Sequence, residues 1–236
     1  MIKAVLFDLD GTLLQMDIDY YNDCYFKALH KKLVSIGYPK DKIISGMWSA
    51  INAMLKNDGS VLNEKIFWKE FSNQFGQRVY DDEPVFDDFY KNEFVKIGDN
   101  AGKQNPMAAE IVRWLKSQGI ITVLATNAVY PKIAVHERLR WTGLLPEDFS
   151  YITTYDNSYA CKPNLKYYEQ ILSAIDCKPE ETLMVGNDVQ EDMIAGKIGM
   201  NVFFLVKFMI NRDNSDISIY PHGSFDELKK YIENLL

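Results

Sequence analysis

Apolar and polar positions follow two rhythms along this chain. Five short runs are apolar or β-forming at almost every position: Ala4 to Phe7, Ile120 to Ala125, Phe149 to Thr154, Thr182 to Val185 and Asn201 to Val206. Each stops at polar or turn residues, which reads as strands buried within a sheet. The other rhythm is helical. Pro106 to Gln118, Pro131 to Trp141, Leu165 to Ile175, Val189 to Ile198 and Phe225 to Leu236 carry apolar residues at spacings of three and four. Gly119 and Gly143 close the first two, and Asn164 stands as N-cap of the third. Ser224 stands before the last, with Glu227 three residues on as in a capping box. Strands alternating with helices predict an α/β fold, a doubly wound parallel sheet covered on both faces.

The stretch between the first two strands breaks this alternation. Tyr20 to Leu33 has Tyr21, Cys24, Tyr25, Ala28 and Leu29 at helical spacing. Lys40 to Lys56 carries a stripe of Ile43, Ile44, Met47, Trp48, Ile51 and Leu55. Asn63 opens a third helical segment that runs to Gly76, and a fourth starts near Pro84 with Phe86, Phe89, Tyr90 and Phe94. Gly98 to Gly102 reads as a flexible connection. The expected organisation is an α/β unit of residues 1–15 and 105–236, interrupted by a helical bundle over 16–104. Trp48, Phe67, Trp68, Phe71 and Phe89 are expected to pack its core. Asp81-Asp82-Glu83 and Asp87-Asp88 read as a solvated face rather than a metal site.

Composition narrows the function classes. At 236 residues, 47% apolar and 13% aromatic, the chain can bury a sizeable core. Its 26 basic and 33 acidic residues give a net charge of −7, so no broad basic field is available for nucleic acid. No apolar stretch approaches the roughly 20 residues that span a bilayer. Cys24, Cys161 and Cys177 are odd in number and form no C-x-x-C pair, and no secretory signal pattern opens the chain. Together these predict a soluble, cytoplasmic protein with free thiols.

The polar residues that end the strands are of a selective kind. They are Asp8 and Asp10, Thr126 and Asn127, Lys162 just beyond a strand end, and Asp188 with Asp192. Right-handed crossovers bring the carboxyl ends of parallel strands to one edge, so these distant residues can converge. Several carboxylates around one point suit a small hard cation such as Mg²⁺, which also accepts water and a phosphate oxygen. A lysine beside them offsets negative charge, and a hydroxyl and an amide can hold phosphoryl oxygens without adding any.

In these residues the chain resembles the haloacid dehalogenase superfamily, in its phosphatase branch with a helical cap. The D-x-D-G-T-L signature stands as Asp8-Leu9-Asp10-Gly11-Thr12-Leu13. Thr126 follows an apolar strand, Lys162 precedes Pro163, and Asp188 and Asp192 follow another apolar strand, all in family order. The resemblance covers the α/β part through motifs. It covers 16–104 only by position and helical character, which match the family's first cap type.

The resemblance implies a Rossmann-like core and a Mg²⁺-dependent phosphomonoester hydrolase acting on a small phosphorylated metabolite. Asp8 would be the nucleophile and form an aspartyl-phosphate. Asp10 would be the general acid and base, its backbone carbonyl also facing the metal. Asp188 would complete the metal site with Asp8. Thr126, Asn127 and Lys162 would bind the phosphoryl group, and Asp192 would support the site.

Two positions depart from the pattern. Cys161 replaces the glycine common before the lysine and is expected to be a packed, inert thiol. Asn187 stands between Gly186 and Asp188, where Gly-Asp is commoner. A dehalogenase of the superfamily would lack the acid at Asp10. The remaining alternatives are a phosphomutase and a non-catalytic phospho-ligand sensor.

Overall fold

The computed structural model describes residues 1–236. In chain order the elements are β1 (Ala4–Phe7), β2 (Gln15–Met16), α1 (Ile18–Ser35), α2 (Ile43–Leu55), α3 (Asn63–Phe75), α4 (Glu83–Asn92) and α5 (Gly98–Ala101). They continue with β3 (Gly102–Lys103), α6 (Pro106–Ser117), β4 (Ile121–Leu124), α7 (Lys132–Trp141), β5 (Tyr151–Ile152) and α8 (Leu165–Ala174). The last are β6 (Thr182–Gly186), β7 (Asn201–Leu205), β8 (His222–Gly223) and α9 (Phe225–Glu233).

Six strands form one sheet in the order β5-β4-β1-β6-β7-β8, and every pairing in it is parallel. The strand order reverses beside β1, since β4 lies on one side of it and β6 on the other. That switch point opens a crevice at the carboxyl edge, where α/β sheets bind ligands. All four residues of β1 are buried, as a central strand covered on both faces requires. The expected α/β class and doubly wound sheet are therefore present.

Four of the expected helices span the stretch after β1, and it contains more than they account for. Gln15 and Met16 pair antiparallel with Lys103 and Gly102, so a two-stranded ribbon joins both ends of the helical insert. The expected flexible connection at 98–102 is instead the short helix α5 running into β3. A two-residue strand has too few positions to leave a periodic signal.

Two further expectations change in detail. Val189 to Ile198 is not one helix, for its only helical part is a 3₁₀ segment over Met193–Ile198. Trp48 is 43% exposed and lies outside the core, whereas Phe67, Trp68, Phe71 and Phe89 are buried. Phe67 and Phe71 stack at 5.6 Å, and Trp68 meets Phe86 edge-on at 5.2 Å. The acidic run over 81–88 is paired on the surface, Asp82 with Arg78 and Asp88 with Lys32.

The expected caps form. The Asn164 side chain accepts the Lys166 N–H, and Glu227 Oε2 accepts from the Ser224 N–H at 2.7 Å. No helix is long and apolar enough to cross a membrane.

Candidate active site

The strands deliver the site. β1 ends at Phe7 and hands Asp8 to the sheet edge, where its N–H donates to the Val185 carbonyl at 2.9 Å. β4 ends two residues before Thr126, whose carbonyl accepts from Thr153 Oγ1 at 2.7 Å and from the Tyr167 hydroxyl at 2.8 Å. β6 ends at Gly186, with Asp188 and Asp192 beyond it. Asp8, Asp10, Thr126, Asn127, Asp188 and Asp192 line a single open cleft. The sequence-derived residues are thus brought together, with Lys162 beneath them.

Lys162 is the hinge of the arrangement. Its ammonium donates to Asp8 Oδ1 at 2.9 Å and to Asp192 Oδ1 at 2.6 Å, and the residue is 1% exposed. Burial alone would lower its pKa, but Asp192 and Asp8 overcome that and hold it well above its ordinary value. Lys162 is therefore a fixed positive charge under Asp8. Asp192 spends its other oxygen on the Asp188 N–H at 3.0 Å, so it is a strut between the lysine and the β6 loop.

Gly186 makes room for this strut. A Cβ there would lie 2.0 Å from Asp192 Oδ2, closer than packed atoms come.

Asn127 ties two loops together. Its Oδ1 accepts the Lys162 N–H at 3.2 Å, and its Nδ2 donates to Glu191 Oε2 at 3.0 Å. Burial raises the Glu191 carboxyl, and Asp188 adds to the effect.

Both departures from the family pattern acquire a physical reason. Cys161 is buried, and Asn63 of α3 donates to its sulfur at 3.3 Å. Asn63 also donates to the carbonyls of Ala128 and Ala160 at 3.0 and 3.2 Å. This residue opens α3 without capping it, and its side chain instead stitches the helical insert to the core. Burial pushes the Cys161 thiol up to about 12.

Asn187 is a bridge. Its Oδ1 accepts from Thr12 Oγ1 at 3.0 Å, and its Nδ2 donates to the Phe208 carbonyl at 2.6 Å. The strap over 207–212 is also held by Ile210 N–H to Asn187 O at 2.8 Å and Val189 N–H to Ile210 O at 2.9 Å. Gly11, at φ +79°, is needed here because a Cβ would strike Asn187 Nδ2 at 2.3 Å.

The strap brings in a residue that sequence reasoning missed. Arg212 Nη1 lies 2.9 Å and 2.7 Å from the two oxygens of Asp188, and its Nη2 is 3.5 Å from Glu191. A second missed residue is Arg138 of α7, fully buried and paired through Nη2 with Asp10 Oδ2. Arg138 had a signal: it falls on the buried stripe Ala134, Val135 and Leu139, where a charged residue needs a partner. Arg212 had none, because it lies in an irregular loop.

No three acidic, thiol or imidazole side chains close around a single point. Arg212 occupies both oxygens of Asp188, and Asp10 turns its carboxylate to Arg138. The donors that would face a cation are nevertheless all oxygen: the Asp8 and Asp188 carboxylates and the Asp10 carbonyl. Five carboxylates in and under the cleft (Asp8, Asp10, Asp188, Glu191, Asp192) meet three cations (Arg138, Lys162, Arg212). That donor chemistry and the excess negative charge fit a divalent hard ion.

A family model for haloacid dehalogenase-like hydrolases matches residues 2–198. The chain belongs to this family. Among curated relatives, the glyceraldehyde 3-phosphate phosphatase of Methanocaldococcus jannaschii is 24% identical over 247 residues, covering 100% of this chain and 99% of that protein. The pyrophosphatase PpaX of Bacillus thuringiensis is 26% identical and covers 83% of this chain and 79% of its own. The crystal structure of a haloacid dehalogenase-family phosphatase from Thermococcus onnurineus superposes with a TM-score of 0.61 at 23% identity, covering 98% of each chain. The chain is thus an enzyme of the haloacid dehalogenase-like hydrolases, among relatives that are phosphatases and pyrophosphatases.

Proposed function

We propose that this haloacid dehalogenase-like hydrolase is a Mg²⁺-dependent phosphatase that cleaves a small phosphorylated metabolite through an aspartyl-phosphate on Asp8. The observation that carries the reading is Lys162, buried and fixed between Asp8 and Asp192 at the switch point of the sheet. A buried cation there neutralises a nucleophilic carboxylate and the phosphoryl group it attacks. The names of the curated relatives, which act on glyceraldehyde 3-phosphate and on pyrophosphate, support a small phosphorylated substrate.

In the first step an oxygen of Asp8 attacks phosphorus, the bond from phosphorus to the leaving oxygen breaks, and Asp10 gives that oxygen its proton. In the second step water attacks phosphorus, Asp10 takes a proton from the water, and the Asp8 carboxylate is released with inorganic phosphate. Thr126, Asn127 and Lys162 hold the phosphoryl oxygens, and Asp192 keeps Lys162 in register. Mg²⁺, held by Asp8, Asp188 and the Asp10 carbonyl, would supply charge neutralisation between nucleophile and phosphate. Arg212 must release an Asp188 oxygen for that ligand set to form.

The helical insert over 16–104 acts as the cap. The β2–β3 ribbon carries both of its chain crossings and is the natural place for it to hinge. The presence of Asp10 two positions after Asp8 supplies the proton donor that phosphate chemistry requires and dehalogenation does not.

The test is a panel of phosphorylated sugars, three-carbon phosphates, pyrophosphate and nucleotides, assayed with Mg²⁺ and again with chelator. The expected result is phosphate release from one or a few small substrates, lost on chelation. Tight binding of such compounds without turnover would overturn the hydrolase reading in favour of a sensor.

A further inference from the structure

Arg138 is fully buried, yet only one of its three nitrogens is hydrogen-bonded. Nη2 pairs with Asp10 Oδ2, while Nε and Nη1 have no partner. The guanidinium lies against aromatic faces instead, 4.6 Å from the Tyr130 ring centroid and 5.7 Å from that of Tyr21 on α1. Burying a guanidinium so thinly satisfied is costly, and a buried ion pair of this kind adds little net stability over apolar packing of the same volume. Folding alone gives this residue little reason to be here. Burial lowers its pKa to about 10, which leaves it charged at neutral pH.

Asp10 shows the other half of the arrangement. Its Oδ2 is taken by Arg138, while Oδ1 is shielded from solvent and has no partner. One oxygen is anchored and the other is left without a partner, in a residue that lines the same cleft as Asp8.

We infer that Arg138 is the positioning residue for Asp10: it fixes the carboxyl rotamer through Oδ2, reserves Oδ1 for the proton passed to the leaving group, and stabilises the carboxylate that remains. This rests on the proposed acid role of Asp10. The proton moves from Asp10 Oδ1 to the leaving oxygen as its bond to phosphorus breaks, and the negative charge left on Asp10 faces the guanidinium. Arg138 acts through Asp10 and not on the reacting atoms themselves. Its effect therefore depends on how much the leaving group needs a proton.

That dependence supplies the test. Alkyl phosphates leave as poor alkoxides and need the proton, whereas p-nitrophenyl phosphate leaves as a stable anion and does not. The single-turnover rate of alcohol or phenol release isolates the first step. Arg138→Met is expected to slow release from an alkyl phosphate about 100-fold while changing release from p-nitrophenyl phosphate less than about threefold. Arg138→Lys, which keeps the charge but not the planar fork, should show the same split to a smaller degree, and it serves if the Met variant does not fold. Equal loss on both substrates, or loss on neither, in a variant that melts cooperatively would overturn the inference. Asp10→Asn measured on the same pair separates the two claims. A split there without one at Arg138 contradicts Arg138 alone, and its absence there contradicts the acid role of Asp10.

Discussion

Lys162 Nζ stands 2.9 Å from Asp8 Oδ1, joining residues 154 positions apart in the sequence. The same ammonium reaches Asp192, so removing it strands two carboxylates in a buried site. Lys162→Met is expected to abolish phosphate release. It should also destabilise the fold by about 3–5 kcal/mol near pH 7, as breaking a buried pair from one side does. Urea unfolding of the variant checks this, and an unchanged midpoint would mean that the carboxylates are solvated.

Asn187 links the Asp8–Leu14 turn to the strap over 207–212 through Thr12 and Phe208. Asn187→Ala removes both bonds and is expected to cost about 1–3 kcal/mol. It should also release the strap that sets Arg212 on Asp188. Hydrogen exchange at Ile210, whose N–H donates to the Asn187 carbonyl, should rise in the variant while exchange in β6 stays slow. Uniform acceleration across both would show that Asn187 supports the whole core rather than the strap.

Cys161 sits one residue from Lys162, yet burial holds its thiol protonated, up to about 12. Alkylation by iodoacetamide at pH 8 should spare Cys161 in the folded protein and label it after denaturation, as peptide mass analysis would show. Rapid native labelling of Cys161 with loss of activity would instead mark it as part of the working site.

The sheet, and the edge at which these polar residues gather, were legible in the sequence because both depend on strong local signals. Apolar runs announce strands, and Asp8, Asp10, Thr126 and Asp188 stand at or near their ends, with Lys162 in the loop that follows β5. The four-helix insert was legible for the same reason, since its aromatic stripes repeat at helical spacing. What escaped was structure made by pairing rather than by period. The β2–β3 ribbon has two residues on each side, and neither segment declares itself without the other. Trp48 fits a helical stripe yet lies 43% exposed, because periodicity identifies a face without saying what covers it. Arg138 and Arg212 are held by tertiary contacts to carboxylates 128 and 24 positions away. Asn187 looked like a substitution in a motif and proves to be a bridge between two loops.

The central claim is that Asp8 carries the phosphoryl group. It is tested most directly by acid-quenching the enzyme during turnover of its best substrate with Mg²⁺ and weighing the peptide that spans residues 4–14. The expected result is an acid-stable, hydroxylamine-labile phosphoryl adduct on Asp8, absent from Asp8→Asn together with all steady-state phosphate release. Full turnover by Asp8→Asn with no adduct on the wild-type peptide would contradict the account.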